Sequence, residues 1–193
     1  GARRDALAPR RGSGPPDGSP MNVVGLDLST KRVGFAAADG ELFSISAHAG
    51  AEDPYRRLHE LGREIERALR LRPPAPELVV VEGYSLAMHP GGGILSKIRL
   101  GEIGGIVRTR LFEMGIRFVD VPPSSVKRFA VGNGNAKKEQ MVSRAIELGA
   151  RGNVNDDEAD AFHLRRMARA AYGLEGDLLG HELDAIANAG ISW

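Results

Sequence analysis

The sequence predicts an α/β domain, a mixed five-stranded sheet flanked by helices, with a three-stranded antiparallel start and parallel strands after it. Three strand-like runs open the chain in quick succession, and helical and strand-like periodicities alternate from there on. Hydrophobic residues make up 42% of the 193, which suits one domain with a sizeable core.

The elements follow in order. "VVGLDL", from Val23 to Leu28, reads as the first strand, and "VGFAAADGELFSIS" as two more joined at Asp39-Gly40. Asp-Gly between apolar runs is a strong short-range hairpin signal. In "YRRLHELGREIERALRL", Leu58, Leu61, Ile65, Ala68 and Leu69 fall at helical spacing, and Pro73, Pro74 and Pro76 end that helix before the buried-type strand "LVVVEG". "HPGGG" is a loop signal, followed by a helix from about Ile94 to Met114. Its "GEIGGI" offers small residues where another element can approach closely. "IRFVDV" is the fifth strand, stopped by Pro122-Pro123. A short segment around Val126–Phe129 and a helix over about 136–148 come next, with Asn135 expected as its cap and Gly149 at its end. "DDEADAFHLRRMARAAYG" closes the pattern as a last helix.

Residues 1–20 are rich in Gly, Pro and Arg and lack the apolar core of a secretory signal. A flexible leader or an expression remnant is expected there, with the domain over 21–172 and a C-terminal extension over 173–193. Without cysteine there is no thiol chemistry, disulfide or zinc–thiolate site. No run approaches the roughly 18 apolar residues of a membrane span, so the cytoplasm is the default compartment. Net charge is +1, but unevenly spread. Residues 97–144 hold ten Lys/Arg against four Asp/Glu, whereas 172–193 hold four acids and no Lys/Arg. A basic middle is compatible with a polyanionic partner, and equally with solvated helix faces.

Four acids stand apart from the surface charge. Asp27 sits at the end of an aliphatic strand, where a lone polar group costs roughly 2–7 kcal/mol unless compensated. Glu82 ends the fourth strand after three valines. Asp157 and Asp160, three residues apart, share one face of the last helix. That face continues through Ala161, Leu164, Ala168 and Ala171 and should dock on the sheet, whereas Glu158, Arg165 and Arg169 should face solvent. Asp156 and Glu158 fit plain macrodipole complementarity, a role that does not require Asp157 and Asp160 to point inward. If the two acid-ended strands are neighbours, four carboxylates converge and cannot all stay ionised without a cation. Oxygen-only donors suit Mg²⁺ or Mn²⁺, and two such ions suit in-line phosphodiester cleavage. Lys137 and Lys138 fall in a helix's first turn, where the dipole disfavours cations and a phosphate would relieve the conflict; an ordinary exposed lysine pair explains them equally well.

At this point the motifs resemble, in order, those of the RuvC family of Holliday-junction resolvases, within the ribonuclease H-like superfamily. They are "GLDLSTKRVGFA", "VVVEGY", "LGEIGGIV", "PPSSVKRFAVGNGNAKKEQMV" and "NDDEADAFHL", spread from about Val23 to Ala170. The resemblance implies a RuvC-like nuclease domain and a homodimer on four-way or branched DNA, away from membranes. Each subunit would make one metal-dependent nick, leaving 5′-phosphate and 3′-hydroxyl ends. Asp27, Glu82, Asp157 and Asp160 correspond to the catalytic metal ligands, with Mg²⁺ as the expected cofactor, two ions per site, and Mn²⁺ as a substitute. Lys127 and Lys138 match the lysines that contact DNA phosphate, with Lys137 beside them. An aromatic wedge is expected soon after the second acid. Here the third position after Glu82 is Ser85, and Tyr84 stands one residue earlier, either as a substitute wedge or as a packing residue. The segment between Glu82 and "LGEIGG" is a few residues longer than the family pattern, and Met88 and His89 beside its glycines are candidate junction contacts.

Three alternatives accompany that reading. The first motif also resembles the phosphate loop of actin-like sugar kinases, but 193 residues leave no room for their second domain. A non-catalytic junction binder would have no use for clustered negative charge facing DNA. A related nuclease for flaps or phage-type branched DNA stays open.

Overall fold

The computed structural model describes residues 21–47, 53–83 and 94–191. Strands β1 (Val23–Asp27), β2 (Arg32–Ala36), β3 (Leu42–Ser46), β4 (Leu78–Glu82) and β5 (Arg117–Val121) form one sheet of order β3-β2-β1-β4-β5. Strand β2 pairs antiparallel with β3 across the hairpin and with β1 across the turn before it, while β4 joins β1 and β5 joins β4 in parallel. The Asp39-Gly40 turn is where expected, with Gly40 in the left-handed region at φ +95°.

Alternation along the strands divides the core into two layers. Val24, Leu26, Val79 and Val81 face one side and pack with α1 (Pro54–Leu71) and α2 (Ile94–Glu113). Helix α1 buries Leu58, Leu61, Ile65 and Leu69, the stripe its spacing predicts, and Asp53 caps it by accepting from the Tyr55 N–H at 2.9 Å. Val23, Leu78, Val80 and Val121 face the opposite side, covered by α3 (Pro123–Val131), α4 (Lys138–Glu147), α5 (Asp156–Ala171) and α6 (Gly180–Ala187). Asp27 continues the Val23–Gly25 face and Glu82 the Leu78–Val80 face, so both acids project towards α5.

Two sequence expectations are corrected here. Helix α4 starts at Lys138 with Lys137 as its cap residue, rather than behind Asn135. Asn133 Oδ1 accepts the Asn135 N–H at 3.0 Å, which holds Asn135 in a turn, and Gln140 Oε1 reaches back to the Lys137 N–H at 2.9 Å. The supposed solvent side of α5 is not free either. Arg165 reaches the carbonyls of Val23 at the start of β1 (3.1 Å) and Ala38 in the β2–β3 turn (2.6 Å), and Arg169 holds Glu175 (2.6 Å) and the Leu174 carbonyl (3.0 Å). Glu158 accepts from Ser44 Oγ at 2.7 Å. Long side chains find backbone partners at the sheet rim that helical periodicity does not reveal.

The segment after α5 has structure that composition did not announce. Helix α6 packs on α3 and adds Ala185, Ile186 and Ala189 to the α5-side core. Among the described residues no helix is long and apolar enough to cross a membrane.

Candidate active site

Parallel pairing decides the geometry. Leu26 lies beside Val81 in the β1–β4 register, so the next residue of each strand, Asp27 and Glu82, ends its strand beside the other. The neighbouring-strand condition for convergence is met. Each carboxyl group acts on the ionisation of the other.

Helix α5 reaches the site because two strand residues have no side chain. A Cβ on Gly25 would stand 2.1 Å from the Ala161 carbonyl oxygen, and one on Gly34 2.0 Å from that of Asp157. Glycine in β1 and β2 thus lets the helix backbone lie directly on the sheet. That approach carries Asp157 and Asp160 to the strand ends. The first turn of α5 is further tied to the hairpin by Asn155, which caps the helix through the Glu158 N–H (3.1 Å) and donates to Ser44 Oγ (3.0 Å).

The electrostatics follow from crowding. Asp27 is buried, and desolvation pushes its carboxyl well above the usual range, helped by Glu82, Asp160 and Asp157. Burial also raises Glu82, against lowering by Asp27, Lys127 and Lys138. Asp160 is pushed up to about 7, chiefly by desolvation and then by Glu82, with Lys127 and Lys138 opposing. Glu82 and Asp160 thus act on Asp27, Glu82 acts on Asp160, and Asp157 acts on both strand-end acids, with Lys127 from α3 and Lys138 from α4 within electrostatic reach.

Other placements are more particular. Lys138 pairs with Asp156, which raises the lysine and lowers the acid, so the first-turn cation has a carboxylate partner from α5. Asp157 is engaged by Arg32, whose Nε donates to Oδ2 at 2.5 Å while Nη2 reaches Asp156 at 3.0 Å. Lys137 is exposed. Tyr84, Met88, His89 and the glycine run lie outside the described residues. Several arginines of the basic middle are balanced locally, Arg99 by Glu102, Arg108 by Asp120 and Arg144 by Glu147, as solvated faces would be. The sequence reading passed over Gly25, Gly34 and Arg32 and gave Asp156 only a macrodipole role; glycine inside a strand signals close backbone approach, but nothing local marks an arginine's partner.

Among the described residues no group of three carboxylate or histidine side chains is already arranged to hold an ion. The donor set nevertheless fits a hard divalent cation. Every donor is a carboxylate oxygen, burial and neighbouring acids raise the proton affinity of Asp27 and Asp160, and Asp160 Oδ1 is buried with no hydrogen-bond partner.

A sheet of order β3-β2-β1-β4-β5, antiparallel on one side and parallel on the other, with helices on both faces, defines a ribonuclease H-like domain. RuvC of Thermus thermophilus, solved in complex with a Holliday junction substrate, superposes with a TM-score of 0.63 over 80% of this chain and 95% of its own, at 21% identity. The family model described as crossover junction endodeoxyribonuclease RuvC matches residues 23–165, and the chain belongs to the RuvC family. Relatives of that name include the protein of Chlamydia muridarum, 33% identical over 154 residues that cover 74% of this chain and 87% of the relative. That of Koribacter versatilis is 28% identical over 139 residues, covering 66% and 80%.

Proposed function

We propose that the protein is a metal-dependent, structure-selective DNA endonuclease that resolves four-way junctions, with Asp27, Glu82, Asp157 and Asp160 as its metal ligands. The observation that carries this is the pair of acid-ended parallel strands facing Asp160, whose buried Oδ1 has no partner. Carboxylates so placed would hold Mg²⁺, two ions per site, or Mn²⁺ in its stead. When bound, such cations supply positive charge against phosphate oxygens and acidify water. The aliphatic strands hold the Asp27 and Glu82 carboxylates rigidly, and the glycine-lined approach of α5 sets Asp157 and Asp160 opposite them. Lys127 and Lys138 neutralise the phosphate backbone, which lowers the cost of bringing a polyanion to four acids. Lys137 and Tyr84 are proposed as further DNA contacts on the resemblance alone. Hydrolysis with the 3′ oxygen as leaving group yields 5′-phosphate and 3′-hydroxyl ends.

A homodimer, one site per nicked strand, completes the reading, and the cytoplasm is its compartment. Exposed Ile94, Leu95 and Ile98 at the start of α2 support an interface there. The nuclease domain is assigned to 21–172, with 173–193 as its extension.

The test is cleavage of labelled four-way junction, flap and linear duplex with Mg²⁺ or with chelator. Nicking of the junction only with Mg²⁺ is expected, and Asp27→Asn should abolish nicking while junction binding persists. Normal cleavage by that variant would overturn the metal-site assignment. Cleavage of flaps but not junctions would leave a nuclease and remove the resolvase.

A further inference from the structure

We propose that Arg32 is a positioning residue, which orients Asp157 for metal binding by holding one of its carboxylate oxygens. The inference rests on the reading of the four acids as metal ligands.

Arg32 is the first residue of β2 and faces α5, since it shares its side of the strand with Gly34. Its backbone is fixed by the turn after β1. The Arg32 N–H donates to Ser29 Oγ at 3.0 Å, and the Ser29 hydroxyl donates back to the Arg32 carbonyl. From that anchored position the guanidinium forks. Nε holds Asp157 Oδ2 at 2.5 Å and Nη2 holds Asp156 Oδ1 at 3.0 Å. Asp156 is itself held by Lys138 through its other oxygen. The Asp157 side chain is 17% exposed, so this is not a fully solvated surface pair. Two adjacent carboxylates held by one planar fork, on a backbone held at both its N–H and its carbonyl, leave Asp157 little rotational freedom. Only Oδ2 is engaged by Arg32, and a carboxylate held by one oxygen still offers the other to a cation.

The other explanation is an exposed ion pair of no consequence, of the kind worth about 0–1 kcal/mol. Geometry favours positioning, because Gly34 brings β2 against the Asp157 backbone itself and the arginine acts across that same contact. Groups that orient a metal ligand typically contribute about 10–100-fold to metal affinity.

Thermal unfolding of the DNA-free protein, titrated with Mn²⁺ and with Mg²⁺, reads metal binding without catalysis. Arg32→Ala should raise the metal concentration needed for half-maximal stabilisation by at least about tenfold. Arg32→Lys should recover only part of this, because one ammonium cannot serve both carboxylates as the fork does. Asp156→Asn weakens the second arm and the Lys138 pair but leaves the Nε arm on Asp157 intact, so it should have a smaller effect. Unfolding without metal shows whether each variant folds; should Arg32→Ala not fold, Arg32→Gln replaces it. Unchanged or tighter metal binding in a folded Arg32 variant would overturn the proposal. Asp27→Asn separates the two readings. If it abolishes metal stabilisation and Arg32→Ala does not weaken it, the positioning role alone fails. If neither changes it, the metal site itself is wrong.

Discussion

Asp160 carries a marked electrostatic tension among the side chains of the site. Its carboxyl sits at about 7 because burial and Glu82 disfavour the charged form. The folded protein therefore binds a proton there that the unfolded chain, near 3.8, releases. Stability from this group is fully present below that unfolded value and is lost as pH rises through about 7. Without metal, wild-type protein should lose on the order of a few kcal/mol relative to Asp160→Asn between pH 4 and pH 8. Urea unfolding of both proteins across that range measures the difference. Buried His163, pushed down to about 4 mainly by desolvation, contributes with the opposite sign as pH falls. It is common to both proteins and cancels in the comparison. Mg²⁺ should restore the wild type at high pH and leave the variant little changed.

Among the elements, α5 decides the site, and its seat depends on two missing side chains. Gly34→Ala would drive a Cβ into the backbone of Asp157, and backbone cannot yield as a flexible side chain does. A loss of about 1–3 kcal/mol is expected, together with loss of nicking, because Asp157 and Asp160 would be lifted from the strand ends. Gly176→Ala, where a Cβ would meet nothing within 4 Å, should leave both unchanged. Denaturant midpoints and the junction assay check both variants. The helix and strands themselves were readable from periodicity. The α4 cap and the partners of Arg165 were not, since each depends on a side chain choosing among several nearby backbone groups.

For the whole molecule, the segment beyond α5 closes the core rather than trailing from it. Glu182 of α6 is buried, pairs with Arg166 of α5 at 2.5 Å and accepts the Leu179 N–H at 2.8 Å. Arg166 also lies over the Phe129 ring of α3, so three helices meet at one cation. Breaking a buried pair costs about 3–5 kcal/mol, and with Glu175 at 3.7 Å still near Arg166 the lower end is expected for Glu182→Ala. Calorimetric unfolding reads this directly. Because α6 lies away from the carboxylates, nicking by the folded fraction should be retained. Composition gave no notice of this helix: an acidic tail without Lys/Arg carries no strong helical signal, and its ion-pair partner lies 16 residues back on another element.

What the sequence determined by itself is the set of candidate donors and the class of sheet. Two acids ending apolar strands, two opening the last helix, hairpin signals and alternating periodicities are local facts, and local patterns suffice to choose candidate donors and elements. The tertiary structure alone decided which oxygens have partners. Strand order put Asp27 beside Glu82, Gly25 and Gly34 let α5 lie on the sheet, and the turn at Ser29 aimed Arg32 at Asp157, 125 residues further along the chain. Those outcomes depend on register and close approach between distant segments. No single stretch of sequence encodes the distance between two others.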